Sequence, residues 1–112
     1  VSVSLSSRAR SYLHGNCSYC HQPGGGGYGG ADYRFTKSLA NMGICDAYPI
    51  VSNFGLPDGR LLVPAAPERS VIIRRLTVSD AHKMNPYRNS VDEVGVSLLR
   101  DWIGSLKDCT SM

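Results

Sequence analysis

A pair of cysteines and a histidine stand together near the start of this 112-residue sequence, in the run Cys17-Ser18-Tyr19-Cys20-His21. Two thiols with this spacing can reach the two vinyl groups of one porphyrin, and the residue that follows then lies beneath the iron. The pattern Cys-x-x-Cys-His is typical of covalent haem attachment. It predicts that Cys17 and Cys20 form thioether bonds to one haem c and that His21 is an axial ligand of its iron.

Two other kinds of site also use a Cys-x-x-Cys pair. A thioredoxin-like dithiol usually follows a strand and opens a helix, whereas this pair follows a predicted helix. A structural zinc site needs a second close pair of ligands, and the other two cysteines, Cys45 and Cys109, are single residues far apart in the sequence. A zinc or disulfide interaction module without haem therefore stays as an alternative to haem attachment.

A short predicted helix leads into the motif. Residues 7–14 fit this helix, with Ser6 or Ser7 as its N-cap and Gly15 as its C-terminal stop. The motif then follows directly after the helix end. The run 24–30 comes next and must be a loop, because six glycines broken only by a tyrosine cannot hold a helix.

Two further helices are predicted in the second half of the chain. One covers 67–76 and begins at a proline, and its inward-facing residues are predicted to be Val71, Ile72 and Leu76. The other begins at Ser90, which is followed three residues later by Glu93 as in a capping box, and runs to Lys107. Its apolar residues recur at spacings of three and four, at Val91, Val94, Leu98, Leu99, Trp102, Ile103 and Leu106. The sequence therefore predicts an all-α domain.

Composition and charge narrow the class of protein. Hydrophobic residues make up 42% of the chain and charged residues 19%, which is typical of a globular domain. The net charge of +3 is small and scattered, so no nucleic-acid partner is predicted. No apolar stretch is long enough to cross a bilayer, so no membrane insertion is predicted. We divide the sequence into a linker or processed terminus (1–6), one domain (7–108) and a C-terminal tail (109–112).

The first helix, the Cys-x-x-Cys-His motif, a methionine in a late loop and an amphipathic last helix together resemble a class I c-type cytochrome. More specifically, the chain is similar to bacterial cytochrome modules that are fused to larger secreted or periplasmic proteins. The segments that carry this similarity are Ala9-Arg10-Ser11-Tyr12-Leu13-His14, the motif with Gln22-Pro23-Gly24, Gly59-Arg60-Leu61-Leu62-Val63-Pro64 and Trp102-Ile103. The resemblance implies a cytochrome c-like fold, in which the N- and C-terminal helices cross around one covalently bound haem with long loops between them.

The class I pattern also places a thioether ligand in the late loop. Met84 stands there as Met84-Asn85-Pro86, where the fused modules often read Met-Pro-Pro, and it is the predicted sixth ligand of the iron. His82 is the rival ligand and His14 a more remote one; two histidine ligands give a lower reduction potential than histidine with methionine. Met42 and Met112 are weaker candidates, because the first suits the core and the second is a terminal residue.

Further residues are predicted to surround the haem. Tyr12 and Leu13 are expected to meet Trp102 where the first and last helices cross. Three arginines are candidates to bind the propionates, because a guanidinium can hold a carboxylate with two hydrogen bonds; they are Arg34, Arg60 and Arg75. The N–H of His21 that faces away from the iron needs an acceptor, and the carbonyl of Pro23 or of a following glycine is predicted to supply it.

A haem held by two protein ligands has no open position for a substrate, so the predicted function is one-electron transfer rather than catalysis. The expected partners are redox proteins, one donor and one acceptor. The similarity to fused modules suggests a place in a larger multidomain protein, where the domain would feed an extracellular oxidoreductase. If the sixth ligand were displaceable, the alternative is a haem peroxidase or a gas-sensing domain.

The cellular compartment in which haem is attached determines the expected redox state of the remaining cysteines. Covalent attachment takes place outside the cytoplasm in bacteria, so the domain is expected to be periplasmic or secreted. In that oxidising setting Cys45 and Cys109 are expected to form a disulfide.

Overall fold

The computed structural model describes residues 4–18, 21–22, 31–49, 55–56, 59–77 and 91–110. Within these ranges the chain forms the helices α1 (Leu5–Cys17), α2 (Val71–Thr77) and α3 (Glu93–Ser105), with single 3-10 turns at Leu39–Asn41 and Pro67–Arg69. The described ranges contain isolated β-bridges but no strand, so the helical class is as predicted. None of the helices in them is both long and apolar enough to span a membrane.

Helix α1 is longer at both ends than the sequence predicts. Ser4 is its N-cap and accepts a hydrogen bond from the backbone N–H of Ser7 at 3.1 Å, so the predicted caps at Ser6 or Ser7 are wrong. The predicted stop at Gly15 is also wrong, because the helix continues through this exposed glycine to Cys17. A glycine costs a helix only about 1 kcal/mol, and Ala9 and Leu13 bury one face of this helix in the core.

The predicted helix over 67–76 is broken in the structure. Ser70 is fully buried with an extended backbone, and it separates the 3-10 turn from α2. Its hydroxyl accepts from the backbone N–H of Val63 at 2.8 Å and donates to the carbonyl of Ala66 at 3.0 Å. In α2 the buried residues are Val71, Ile73 and Leu76, whereas Ile72, predicted to face inward, is only partly buried.

Helix α3 begins later than the predicted capping box. Asp92 is the N-cap and accepts from the backbone N–H of Gly95 at 3.1 Å, so the prediction of Ser90 as the cap is wrong. The buried face is also rotated at this end, because Gly95 and Val96 are buried while Val94 is 82% exposed. Val94 therefore lies outside the buried face, although it fits the apolar spacing of the sequence. Farther along, Leu99, Trp102 and Ile103 are buried as expected.

Helices α1 and α3 pack directly against each other. The Tyr12 ring lies over Gly95, where any side chain would overlap it, and the Tyr12 hydroxyl donates to the Asp92 carboxylate at 2.9 Å. We call Tyr12, Asp92 and Gly95 the helix crossing. Around it the core gathers residues from all three helices and from the segment 33–44; its members are Ala9, Leu13, Tyr33, Leu39, Met42, Ile44, Leu62, Ile73, Leu76, Val96, Leu99, Trp102, Ile103 and Leu106.

A disulfide joins the end of the described chain to its middle. The sulfurs of Cys45 and Cys109 lie 2.15 Å apart, with their Cα atoms separated by 5.7 Å, as the sequence predicted. The chain on either side of Cys45 pairs with the chain at Leu62: Leu62 donates its N–H to Ile44 at 3.1 Å, and Asp46 donates its N–H to Leu62 at 2.7 Å. The disulfide therefore connects the region after α3 to a segment that is itself held by backbone hydrogen bonds.

Candidate functional site

The end of α1 brings Cys17 and His21 together. Cys17 occupies the last residue of the helix, and the backbone N–H of His21 donates to the Cys17 carbonyl at 3.0 Å, which continues the helical turn. Ser18 stabilises the same turn, because its hydroxyl donates to the carbonyl of His14 at 2.5 Å. The sequence predicted that the motif follows the end of the helix, whereas Cys17, the first residue of the motif, is the last residue of α1.

A second segment of the chain returns to His21. The backbone N–H of Tyr33 donates to the His21 carbonyl at 2.9 Å. The Tyr33 ring packs edge-on against the imidazole, with ring centroids 5.3 Å apart and planes at 87°. Tyr33 is only 7% exposed and belongs to the core. His21 is thus held through both its backbone and its side chain.

Two further groups act on this pair electrostatically. Burial lowers the pKa of His21, and the positive charge of Arg75 lowers it further. Burial raises the pKa of Tyr33, to which a negative charge on Cys17 would add, while Arg75 acts in the opposite direction. We call Cys17, His21, Tyr33 and Arg75 the His21 cluster. Its environment favours a neutral imidazole, which is the form that ligates metals, and a neutral phenol.

Buried nitrogen atoms without a hydrogen-bond partner test whether these residues fit a bound haem. Within the described part of the chain, the His21 Nδ1 atom and the Trp102 Nε1 atom are buried and have no hydrogen-bond partner. Buried polar groups in folded proteins are nearly always paired, and a metal-ligating histidine hydrogen-bonds through its second nitrogen. A half-buried imidazole with one nitrogen still to be paired fits the role of haem ligand. Its predicted acceptors, the carbonyls of Pro23 and the following glycines, lie outside the described residues.

The candidate propionate ligands fall in different surroundings. Arg34 forms a two-bond ion pair with Asp32, at 3.0 and 2.7 Å, and lowers the pKa of that carboxyl to about 2. Arg60 donates to the Asp46 carboxylate at 3.2 Å and to the Tyr48 hydroxyl at 2.9 Å, with its guanidinium 4.0 Å from the centre of the Tyr48 ring. Among these three described arginines, Arg75 is the one whose charge acts on His21.

The other predicted residues are divided between the described chain and the rest. Tyr12, Leu13 and Trp102 all lie at or against one hydrophobic core. His14 is exposed, and its Nδ1 accepts from the backbone N–H of Phe35 at 2.9 Å. Met42 is 1% exposed, which confirms it as a core residue. The remaining predicted residues lie outside the described ranges, namely Cys20, the loop 24–30, His82, Met84 and Met112.

Tyr33 is the residue that sequence reasoning missed. It lies in a stretch of chain with no helical or strand periodicity, so no pattern links it to His21. Its contact arises because the chain returns from 31 onwards to the end of α1, and a contact of that kind leaves no local signal in the sequence.

In the described ranges no three His, Cys, Asp or Glu side chains come together as a metal-binding group.

Comparisons with known proteins give no information about this site. No protein-family model matches the chain, and no match is found among curated proteins or among solved structures.

Proposed function

We propose that this chain is a cytochrome c-like domain that binds one haem covalently through Cys17 and Cys20 and transfers single electrons. The observation that carries the proposal is the helical turn at the end of α1, in which the His21 N–H is bonded to the Cys17 carbonyl. This hydrogen bond joins the backbone of the first cysteine of the Cys-x-x-Cys-His motif to the backbone of its histidine.

The chain's own residues have separate tasks in this proposal. His21 would supply a neutral imidazole and Met84 a thioether as the two protein ligands of the haem iron. Tyr12 and Leu13 lie on α1, which ends at Cys17, and Trp102 lies on α3, which packs against α1. Arg75 contributes a positive charge beside His21, which favours any added negative charge at the cluster. The bound haem would supply the gain and loss of one electron.

A matched pair of double variants tests covalent attachment. The chain is expressed together with the cytochrome maturation machinery, as wild type, as C17A/C20A and as C45A/C109A. Each variant removes two cysteines, so the number of cysteines lost is the same in both. We expect the wild type and C45A/C109A to carry the mass of one haem, and C17A/C20A to lose it. A wild-type chain that is colourless at its polypeptide mass would overturn the proposal and favour a zinc or disulfide module.

The sixth ligand is tested by two methionine variants. Met84→Ala should remove the weak long-wavelength absorption band of sulfur-to-iron ligation and lower the reduction potential. Met42→Ala is the control, because Met42 is buried in the core; it should keep the band and lose about 2–5 kcal/mol of stability. If Met84→Ala leaves the spectrum unchanged, His82 becomes the ligand to test.

Ligand exchange separates electron transfer from the enzymatic and sensory alternatives. A reduced wild-type haem that ignores carbon monoxide has both axial positions filled by protein, as electron transfer requires. Rapid carbon monoxide binding would instead favour a peroxidase or a gas sensor with a displaceable sixth ligand.

We further propose that the domain passes electrons between redox proteins outside the cytoplasm, as a module that feeds an extracellular oxidoreductase. The similarity of the motif segments to fused cytochrome modules and the Cys45–Cys109 pair both support an oxidising location. Stopped-flow mixing of the reduced domain with a candidate oxidoreductase is the test. Oxidation of the haem no faster than in buffer would end the proposal for that acceptor.

A further inference from the structure

Tyr33 is positioned by more contacts than its place in an irregular segment suggests. The residue before it, Asp32, donates its backbone N–H to the Met42 carbonyl at 2.8 Å. The Asp32 carboxylate accepts from both the backbone N–H and the side chain of Arg34, the residue after Tyr33. The backbone is therefore fixed on both sides of Tyr33, and the ring has little freedom to leave the core.

The Tyr33 ring in turn restricts His21. The two rings are nearly perpendicular, at 87°, with centroids 5.3 Å apart, and an edge-on contact of this kind is lost when either ring turns. The backbone hydrogen bond from Tyr33 to His21 fixes the base from which the imidazole projects. Together the two contacts restrict the rotation of the imidazole plane about its Cβ–Cγ bond.

We propose that Tyr33 is a positioning residue that fixes the plane of the His21 imidazole through the edge-on contact of its ring. This inference rests on the proposed function, because the plane of an axial imidazole matters when it ligates a haem iron. Tyr33 acts through its ring rather than through its hydroxyl. The packing therefore distinguishes Phe, which keeps the ring, from Leu, which fills similar space without one.

The readout is the proton NMR spectrum of the ferric protein. The order of the haem ring-methyl resonances depends on the direction of the axial ligand planes, because these determine how unpaired spin is distributed over the porphyrin. We expect Tyr33→Phe to keep the wild-type order and Tyr33→Leu to rearrange it. Leu62→Ala is the control for a general loss of packing, since Leu62 is fully buried in the same core; it should keep the order. An unchanged order in Tyr33→Leu would overturn the inference.

A second measurement covers the case in which Tyr33→Leu does not fold. In the diamagnetic ferrous wild type, protons of the Tyr33 ring should show nuclear Overhauser contacts to the His21 ring. Absence of these contacts in a folded, haem-bearing protein would also overturn the inference. Failure of the proposed function is distinguishable from both results, because the wild type would then contain no haem at all.

Discussion

The helix crossing and the His21 cluster differ in how their polar atoms are paired. At the crossing, the Tyr12 hydroxyl donates to Asp92, and the same carboxylate accepts from the N–H of Gly95 at the start of α3. In the His21 cluster, the imidazole packs edge-on against the Tyr33 ring, yet its Nδ1 atom has no hydrogen-bond partner within the described part of the chain. At the crossing, these polar groups are therefore hydrogen-bonded to one another.

This difference indicates a division of work between two parts of one small domain. The crossing, with its paired polar groups, acts as a frame whose stability comes from local contacts. The cluster holds an imidazole whose Nδ1 atom has no described partner, and the Trp102 Nε1 atom of α3 is likewise buried without a described partner. Changes at the frame should therefore alter stability and leave the spectrum of a bound haem unaffected. Changes at the cluster should alter that spectrum.

The largest loss of stability is expected from removal of the disulfide. Replacing Cys45 and Cys109 by Ala removes a cross-link between residues 64 apart in sequence, which should lower the free energy of unfolding by about 2–5 kcal/mol. Urea unfolding followed by circular dichroism measures this loss. The haem spectrum of the folded variant should equal that of the wild type, and a shifted spectrum would contradict the separation of frame and cluster.

Two glycines of α3 provide the next test. Gly95→Ala should destabilise the protein by about 1–3 kcal/mol, because the new methyl group overlaps the Tyr12 ring and displaces it from Asp92. Gly104→Ala is the matched control, since Gly104 is exposed in the same helix with open space around it; it should stabilise by up to about 1 kcal/mol. Thermal unfolding of both variants gives the comparison. Equal changes would show that the crossing is not tightly packed.

The tyrosine at the crossing should give a smaller effect. Tyr12→Phe removes the hydroxyl that donates to Asp92 and should cost about 0.5–1.5 kcal/mol. Tyr48→Phe removes a hydroxyl from a side chain that is 69% exposed, so its effect should stay within about 0.5 kcal/mol of zero. Denaturant titration of both proteins under the same conditions measures the difference, and a larger loss in Tyr48→Phe would reverse the expectation.

The smallest effect is expected from Asp32, and it depends on pH. Arg34 lowers the pKa of the Asp32 carboxyl from 3.8 to about 2, so the ion pair stabilises the fold above the ordinary pKa and stops doing so as the pH falls towards 2. Asp32→Asn should therefore be less stable than wild type near neutral pH, and the difference should shrink below pH 3.8. Asp101→Asn, an exposed carboxylate on α3, controls for loss of one charge. A difference independent of pH would contradict the role of the ion pair.

The sequence predicts the parts of this fold that depend on local repetition. The spacing of apolar residues predicts that α1 and α3 exist, and the Cys-x-x-Cys-His motif is recognisable because the proposed haem attachment requires fixed spacing. Helix boundaries are less predictable: Asp92 and Ser90 are both good N-caps in the sequence, and packing of Tyr12 on Gly95 favours the start at Asp92. The same packing turns Val94 to solvent although it fits the periodic pattern.

Contacts between distant, irregular segments could not be predicted in this way. The approach of Tyr33 to His21 depends on how the chain returns to the end of α1, for which no periodic signal exists. The pairing of Cys45 with Cys109 was predictable by a different route, from the count of cysteines left over once the motif is assigned. It required no knowledge of where the two residues lie.

The extension of α1 through Gly15 to Cys17 has a mechanical consequence. A helix normally frays at its last turn, and an exposed glycine there makes unwinding easier. A thioether bond from Cys17 would tether this turn to the proposed haem, so that the turn could unwind only if the haem moved with it. The loosest end of α1 would then become its best anchored, and amide protons near Asn16 would exchange with solvent more slowly once the bond has formed.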